Sequence, residues 1–314
     1  MKIAVMGTGG VGGYFGAKLA ASGEEVHFIA RGAHLEAMRT KGLQVYSANG
    51  DVLVKPARAT NDPASVGPVD LVMIAVKLWS TDDALRDAKP LVGSTTAVVS
   101  FQNGVIASDA IAKAYGKERT LGGVAQIAAV IEQPGVIRHT GTMAILTVGE
   151  LDKKPSARVQ AFAGASTKAG IQIKVADDIQ KAIWEKYVFL VAASGMTSLT
   201  RLPLGPIRED PDTRSLMAQV MSEVVAVGRA KGVQLDADLV DRLMQRLDGL
   251  PREMVASMLG DLERGNRLEL PWLSGGVVTM GRELGLPTPA NSFICAALKP
   301  YVDGRPADAR TPKG

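Results

Sequence analysis

A glycine-rich loop near the start of the chain, MGTGGVGG, is the pattern that points most directly to chemistry. Gly7, Gly9 and Gly12 form a GxGxxG spacing between an apolar run and a segment of helical composition. The first glycine permits a tight turn, the second lets backbone N–H groups approach a pyrophosphate, and the third allows close helix–strand packing. This predicts a dinucleotide at a positive helix N-terminus, although similar turns also occur without a nucleotide. The loop residues expected at the cofactor are Gly7, Thr8, Gly9, Gly10, Val11 and Gly12.

The residue after the second predicted strand indicates which nicotinamide cofactor is preferred. An NAD site usually has an acidic side chain there, which bonds the ribose 2′-hydroxyl. In this chain the position is Arg31. Because a guanidinium can bond a phosphate through two N–H groups, Arg31 predicts NADPH (and NADP⁺ as the oxidised form). The alternative is an ordinary solvated arginine.

Two polar residues end later predicted strands, Lys77 in VMIAVK and Asn103 in VVSFQNG. Ligands of open α/β sheets bind outside the carboxyl ends of the strands, so both side chains are expected near the cofactor cleft. Asn103 followed by Gly104 is also an ordinary turn signal, and for that residue alone both interpretations stay open.

One lysine in the second half of the chain has a largely apolar environment. Lys186 lies in DIQKAIWEKYVFLVAASG, and its neighbours at helical spacing are Ala182, Ile183, Phe189 and Leu190. An ammonium group on such a face must reach an end of the helix or a cleft, where desolvation would lower its pKa toward a value useful for proton donation. A lysine at the entrance of a buried helix is the alternative.

Ser257 and Glu269 lie on either side of a helix and a Gly/Asn turn in SMLGDLERGNRLELPW. Glu269 precedes Pro271, so it could serve only as a carboxylate at a helix N-terminus. Ser257 could be a helix-surface serine. Their spacing does not decide between these roles and a part in the site.

The elements that must position these residues divide the chain in two. Short β-branched runs alternate with helical segments in the first half, and buried runs of this kind are typical of a doubly wound, Rossmann-type α/β domain with a parallel sheet. A hairpin is predicted at 43–60 around Asn49-Gly50, and an edge pair from VIRHTG and MAILTVGE. We therefore predict an NADPH-binding domain at 1–176 and an all-helical domain at 177–314 that ends in a loose tail, DGRPADARTPKG. Its helices are expected at 178–200, 211–231, 236–247, 252–264, 272–284 and 290–302, with breaks at LPLGP, DGLPRE and LGLPTP.

Composition excludes several classes of function. A chain of 314 residues exceeds the usual size of one hydrophobic core, so two domains are expected. Its 36 basic and 32 acidic residues form no basic run, so nucleic acid is not an expected partner. The single cysteine, Cys295, cannot form an internal disulfide, and no clustered histidines suggest a metal. The longest charge-free apolar stretch, 187–200, is shorter than the roughly 20 residues of a membrane span. A cytoplasmic protein is expected, and a homodimer is left open.

Taken together, these motifs resemble the ketopantoate reductase (2-dehydropantoate 2-reductase) family from Met1 to about Tyr301. The motifs, in order, are GTGGVG, Arg31, VK at Lys77, QNG at Asn103, the HTG…VGE edge hairpin, WEK at Lys186, SML with Glu269 twelve residues beyond Ser257, and LGLPTPAN. The resemblance implies reduction of ketopantoate to pantoate with NADPH, on the route to pantothenate. It also implies that Lys186 is the general acid, that Asn103 and Ser257 hold the substrate, and that Glu269 lies at the nicotinamide end.

The chain departs from the family pattern in the expected substrate pocket. The family has asparagines four and eight residues after its lysine, one turn apart on the same helix face. Here those substrate-binding positions are Leu190 and Ser194, and two further family asparagines are matched by Leu204 and Ser274. Each lost hydrogen bond contributes about 0.5–1.5 kcal/mol, so discrimination between substrates should change.

Three functions therefore remain in view. The first is reduction of ketopantoate, and the second is reduction of a less polar 2-oxo acid by a paralogous enzyme, favoured by Leu190 and Leu204. The third is a nucleotide-sensing module without chemistry. Retention of both Lys186 and Glu269 counts against a sensor, because a sensor needs neither.

Overall fold

A computed structural model describes residues 1–308, and a 10-stranded sheet dominates its N-terminal half. The strands are β1 (Lys2–Met6), β2 (Glu25–Ile29), β3 (Leu43–Tyr46), β4 (Val52–Val54), β5 (Arg58–Thr60), β6 (Leu71–Ile74), β7 (Ala97–Ser100), β8 (Thr120–Gln133), β9 (Val136–Glu150) and β10 (Gln172–Val175). Their order is β4-β3-β9-β8-β7-β6-β1-β2-β5, and β10 pairs with β9. From β5 to β8 all neighbours are parallel. The Rossmann-type fold predicted for this half is confirmed.

The central strands are buried on both faces. Along β1, Ile3 and Val5 belong to one apolar cluster, whereas Ala4 and Met6 belong to a second on the opposite face. This follows from the two-residue period of a strand. Helices cover the sheet because a parallel sheet cannot leave an apolar face in water. The helices of this half are α1 (Gly10–Ala21), α2 (Gly32–Lys41), α3 (Thr81–Asp87), α4 (Ala107–Tyr115) and α5 (Ala157–Lys168).

The two antiparallel predictions had different outcomes. The hairpin around Asn49-Gly50 is confirmed for 43–54, where β3 and β4 pair antiparallel from Leu43 and Val54 onward, whereas the end of the predicted segment forms β5 and pairs parallel with β2. The edge pair was wrong, because VIRHTG and MAILTVGE form the single long strand β9, which pairs antiparallel with β8. Gly141, the last residue of VIRHTG, has a φ of 74° and lies within β9, where the register with β8 shifts between the pairs Ala129/His139 and Ile127/Ala144.

The C-terminal half is helical. Its helices are α6 (Ile179–Thr200), α7 (Leu204–Glu209), α8 (Pro211–Ala230), α9 (Leu239–Asp248), α10 (Ser257–Glu263), α11 (Ser274–Glu283) and α12 (Pro289–Leu298). LPLGP interrupts the helices as predicted, but it also begins α7, which was not predicted. Two backbone bonds hold this start, from Leu204 N to Met254 O (2.8 Å) and from Gly205 N to Arg252 O (2.9 Å).

Contacts group the chain into one unit of residues 1–183 and a second from 184 onward. This division falls inside α6, whereas the domain boundary predicted from the sequence, at 176, precedes that helix. The predicted loose tail begins at residue 303, and its part from residue 309 onward lies outside the described residues. Among residues 1–308, none of the helices combines the length and the apolar character required to cross a bilayer.

Candidate active site

Four predicted cofactor residues follow the ends of four adjacent parallel strands. In the register of the sheet, Met6 at the end of β1 pairs with Ile29 of β2 and with Ile74 of β6. Ile74 in turn pairs with Ser100, the last residue of β7. Each strand is followed within three residues by one predicted position, respectively Gly7, Arg31, Lys77 and Asn103. The N-terminal unit therefore brings the four to one edge of its sheet, where open α/β proteins bind ligands.

Gly7 and Gly12 are required by the backbone itself. Gly7 has a φ of 94°, and a Cβ there would lie 2.8 Å from the backbone nitrogen of Val76. A Cβ on Gly12 would lie 2.3 Å from the carbonyl oxygen of Gly7. The tight turn and the close helix–strand approach predicted from these two glycines are both present.

Gly9 and Gly10 differ from each other. A Cβ on Gly10 would lie 1.9 Å from the carbonyl oxygen of Ala129 in β8, so Gly10 allows α1 to approach that strand. A Cβ on Gly9 would meet no atom within 4 Å. Gly9 is the N-cap residue of α1, and the first turn of α1 carries no acidic residue. Open space before an uncapped helix N-terminus suits an anionic ligand.

The other two loop residues point their side chains into the protein. Thr8 is 3% exposed, and its hydroxyl donates to the carbonyl oxygen of Ile29 at 3.3 Å. Val11 is partly buried and packs against the larger apolar cluster. Toward a cofactor, these two residues therefore present mainly their backbone groups.

Arg31 is the N-cap residue of α2, and 74% of its side chain is exposed. Its Nη2 donates to Oδ2 of Asp87, the last residue of α3, at 2.7 Å. A guanidinium at the end of β2 is thus available from solvent, although it already holds one carboxylate.

Lys77 and Asn103 lie in the segments after β6 and β7. Lys77 is exposed, and its Nζ lies 5.7 Å from the ring centroid of Trp79. Asn103 is partly buried. Their positions suit a cofactor or substrate contact, and their roles remain a prediction.

Gln102, which the sequence did not single out, lies at the same edge of the sheet. Its side chain is buried, accepts from the Ser100 hydroxyl (3.0 Å), and donates to the Val76 carbonyl (3.0 Å) and the Thr81 hydroxyl (2.8 Å). Gln102 therefore ties the segment bearing Asn103 to the segment bearing Lys77. The only signal in the sequence was its place beside Asn103 in QNG.

In the helical unit, Lys186 and Glu269 influence each other. Lys186 is partly buried on α6, and Glu269 is 6% exposed. Desolvation lowers the pKa of Lys186 to about 8, while the charge of Glu269 acts in the opposite direction. A lysine with such a pKa exchanges its proton near neutral pH, which suits a general acid.

Tyr187 holds the turn that carries Glu269. Its hydroxyl lies 2.9 Å from the carbonyl oxygens of Trp272 and Leu273, which share the O–H donor. The carbonyl oxygen of Glu269 accepts from the N–H groups of Trp272 (3.0 Å) and Leu273 (3.1 Å). Since Tyr187 follows Lys186 directly, this link fixes the carboxylate-bearing turn relative to the lysine.

The predicted substrate positions differ in exposure. Leu190 is partly buried, while Ser194 is 1% exposed and its hydroxyl finds no hydrogen-bond partner among residues 1–308. Lys186, Leu190 and Ser194 are successive at four-residue spacing, so they follow one side of α6. Leu204 is 1% exposed and belongs to the apolar interior. Ser257, the first residue of α10, is exposed, and its role remains a prediction.

A metal centre is not indicated in this part of the chain. Within residues 1–308, His, Cys, Asp and Glu side chains form no group of three that could hold an ion.

Two family models match the chain in succession. Ketopantoate reductase PanE/ApbA matches residues 3–153, and the C-terminal model of the same family matches residues 178–302. Together they cover most of both units.

Individual relatives match over nearly the whole length. A 2-dehydropantoate 2-reductase of Mesorhizobium japonicum is 34% identical, over 95% of this chain and 97% of its own. An uncharacterized oxidoreductase, YkpB, of Bacillus subtilis is 31% identical, over 96% and 99%. The crystal structure of a PanE/ApbA family ketopantoate reductase from Ralstonia eutropha superposes with a TM-score of 0.87 at 32% identity, over 96% and 98%.

Proposed function

Since the chain belongs to the ketopantoate reductase family, we propose that it reduces 2-dehydropantoate to pantoate with NADPH. The chain is an oxidoreductase acting on CH–OH groups. The observation that carries the proposed reaction is the pairing of Lys186, whose pKa is lowered to about 8, with the buried Glu269. Pantoate as the product would place the reaction on the route to pantothenate.

The residues of the N-terminal unit fit a dinucleotide that carries a 2′-phosphate. Open space at Gly9 and the first turn of α1 suit the pyrophosphate, and the exposed guanidinium of Arg31 suits the additional phosphate. Lys77 and Asn103 would contact the cofactor at the same edge of the sheet. NADPH would supply the hydride that reduces the keto carbon.

Lys186 would supply the proton. As the keto carbon becomes tetrahedral, its oxygen gains negative charge, and an ammonium donor can neutralise that charge by transferring one proton. The product is then a 2-hydroxy acid, and Lys186 remains as a neutral amine until it regains a proton from solvent. Glu269 would position the ammonium group or the ribose.

Asn103 and Ser257 would orient the substrate, with Leu190 and Ser194 forming the wall that follows Lys186. The hydroxyl of Ser194 is a buried group with no partner among residues 1–308, and a substrate oxygen would satisfy it. Leu190 offers no polar group at the next position. We therefore expect fewer polar contacts to the substrate than in relatives with asparagine there.

The direct test follows NADPH oxidation with 2-dehydropantoate. Lys186→Ala should lower kcat by roughly 10²- to 10⁴-fold, the contribution of a positioned proton donor. Lys231→Ala, an exposed lysine at the end of α8, is the matched control and should leave kcat unchanged. Undiminished turnover by Lys186→Ala would show that another group supplies the proton.

A less polar branched 2-oxo acid is the second candidate substrate, favoured by Leu190. Comparing kcat/KM for 2-dehydropantoate with the values for 2-oxoisovalerate and phenylglyoxylate separates the two. A higher value for either apolar acid would favour the second candidate. Tight NADPH binding without turnover of any of these acids would instead indicate a sensor.

A further inference from the structure

Arg31 belongs to a chain of four charges at the end of β2 and α3. Its guanidinium contacts Asp87 at 2.7 Å, the second oxygen of Asp87 lies 3.6 Å from Nε of Arg86, and Arg86 contacts Asp83 at 2.8 Å. Two cations and two carboxylates alternate, so their formal charges cancel. The guanidinium expected to receive a 2′-phosphate is already compensated in the free protein.

The position of Asp87 is not explained by the helix that carries it. Asp87 is the last residue of α3, and a carboxylate at a helix C-terminus meets the negative end of the helix dipole. Asp83, in the first turn of the same helix, has the favourable arrangement instead. The carboxylate of Asp87 is thus held at an unfavourable helix position, where it contacts Arg31.

Asp87 also borders open space at the strand edge. A recess of about 770 Å³ has Asn61, Asp62, Arg86, Asp87 and Lys89 in its lining. The bond from Ala30 N to Thr60 O (3.0 Å) continues the register of β2 with β5 and places Asn61 beside Ala30, the residue before Arg31, so the recess adjoins the end of β2. A ligand group bound at Arg31 would therefore lie close to the carboxylate of Asp87.

We propose that Asp87 determines how strongly this chain prefers NADPH over NADH, by competing with the 2′-phosphate for the Arg31 guanidinium. The inference rests on the proposed cofactor site. A phosphate monoester carries about −1.5 to −2 charges at pH 7, so it is repelled by Asp87 and must share or replace it at Arg31. The uncharged 2′-hydroxyl of NADH meets no such repulsion. Asp87 thus weakens NADPH binding selectively and leaves NADH able to bind.

The test measures dissociation constants of NADPH and NADH by calorimetric titration of the purified full-length chain. Asp87→Asn keeps the size of the side chain and removes its charge, so NADPH should bind roughly three- to tenfold more tightly, while NADH changes by less than about twofold. Adenosine 2′,5′-bisphosphate and 5′-AMP, which isolate this end of the cofactor, should show the same difference.

Asp83→Asn is the charge-matched control, because it removes one carboxylate from the same helix without removing the contact to Arg31. The ratio of the two dissociation constants should change much less in this variant. An unchanged ratio in Asp87→Asn, weaker NADPH binding, or an equal effect of Asp83→Asn would each overturn the inference. If the wild-type chain bound neither nucleotide, both the proposed cofactor and the role of Asp87 would be wrong. If the wild-type chain bound both nucleotides and Asp87→Asn left the ratio of their dissociation constants unaltered, only the role of Asp87 would be wrong.

Discussion

The carboxylate of Glu269 counteracts part of the desolvation of the Lys186 ammonium, and the balance leaves the pKa of Lys186 at about 8. The two residues are far apart in the chain, yet Tyr187, directly after the lysine, bonds the turn that begins at Glu269. The apolar side of α6 and the turn at Glu269 therefore determine the pKa of Lys186 together. The pH dependence of the reaction should follow from this balance.

The pH profile of the reductase reaction should report Lys186. A general acid is active when it is protonated, so kcat/KM for 2-dehydropantoate should be level below the pKa of about 8 and fall above it. One titrating group gives a decrease of about tenfold per pH unit. Steady-state kinetics between pH 6 and about 10 at saturating NADPH would measure this decrease, the alkaline limb of the profile. A level profile through pH 9 would contradict the assignment.

Glu269→Gln should move that limb to lower pH. The carboxylate raises the pKa of Lys186 against the larger effect of desolvation, so its neutral replacement leaves desolvation unopposed. The profile should therefore begin to fall below pH 8. Glu263→Gln, an exposed glutamate at the end of α10, is the matched control and should leave the limb in place. A limb at the wild-type position in Glu269→Gln would show that Glu269 acts elsewhere.

Local sequence predicted those parts of the fold whose own residues determine their structure. Strands β1, β6 and β7 are apolar on both faces, and Asn49-Gly50 favours its turn whatever surrounds it. Strand β8 was not predicted, because its run LGGVAQIAAV is poor in β-branched residues. Gly123 is needed there because a Cβ would lie 2.5 Å from the carbonyl oxygen of Ser100. That requirement arises from a neighbouring strand.

The candidate site shows the same division. The apolar neighbours of Lys186 at helical spacing predicted a desolvated ammonium, which agrees with the direction of its pKa shift. The hydrogen bonds of Tyr187 to residues 85 and 86 positions away were not predictable, nor was the bridge that Gln102 makes to Val76. The ion pair of Arg31 with Asp87 was missed for the same reason. Sequence spacing defines neighbours within one element, and these contacts join different elements.

Tyr187→Phe should loosen the turn that carries Glu269. The carbonyl oxygen of Leu273 keeps a partner, the N–H of Val277 at 3.1 Å, but both carbonyls lose the hydroxyl. A lost buried hydrogen bond costs about 1–2 kcal/mol, so the free energy of unfolding should fall by that amount in urea denaturation.

The same variant should shift the alkaline limb in the direction of Glu269→Gln, because a mobile turn holds the carboxylate less close to Lys186. Tyr301→Phe retains the ring whose centroid lies 5.5 Å from the Arg201 guanidinium, and it serves as the control in the same unit. Loss of stability in Tyr187→Phe with an unmoved limb would mean that the tyrosine supports only the fold.

Two neighbouring glycines should separate cofactor binding from folding. A methyl group on Gly9 meets no protein atom within 4 Å, and the φ of −79° at this residue suits any L-amino acid. Gly9→Ala should therefore unfold at the wild-type urea concentration but bind NADPH at least about tenfold more weakly, because the methyl group enters the space needed by the pyrophosphate.

In Gly10→Ala the methyl group would lie 1.9 Å from the backbone oxygen of Ala129, so α1 must move away from β8. That variant should lose about 1–3 kcal/mol of folding free energy, the usual cost of overpacking. Urea denaturation and NADPH titration of both proteins would measure the two effects, and unaltered NADPH affinity in Gly9→Ala would place the pyrophosphate elsewhere.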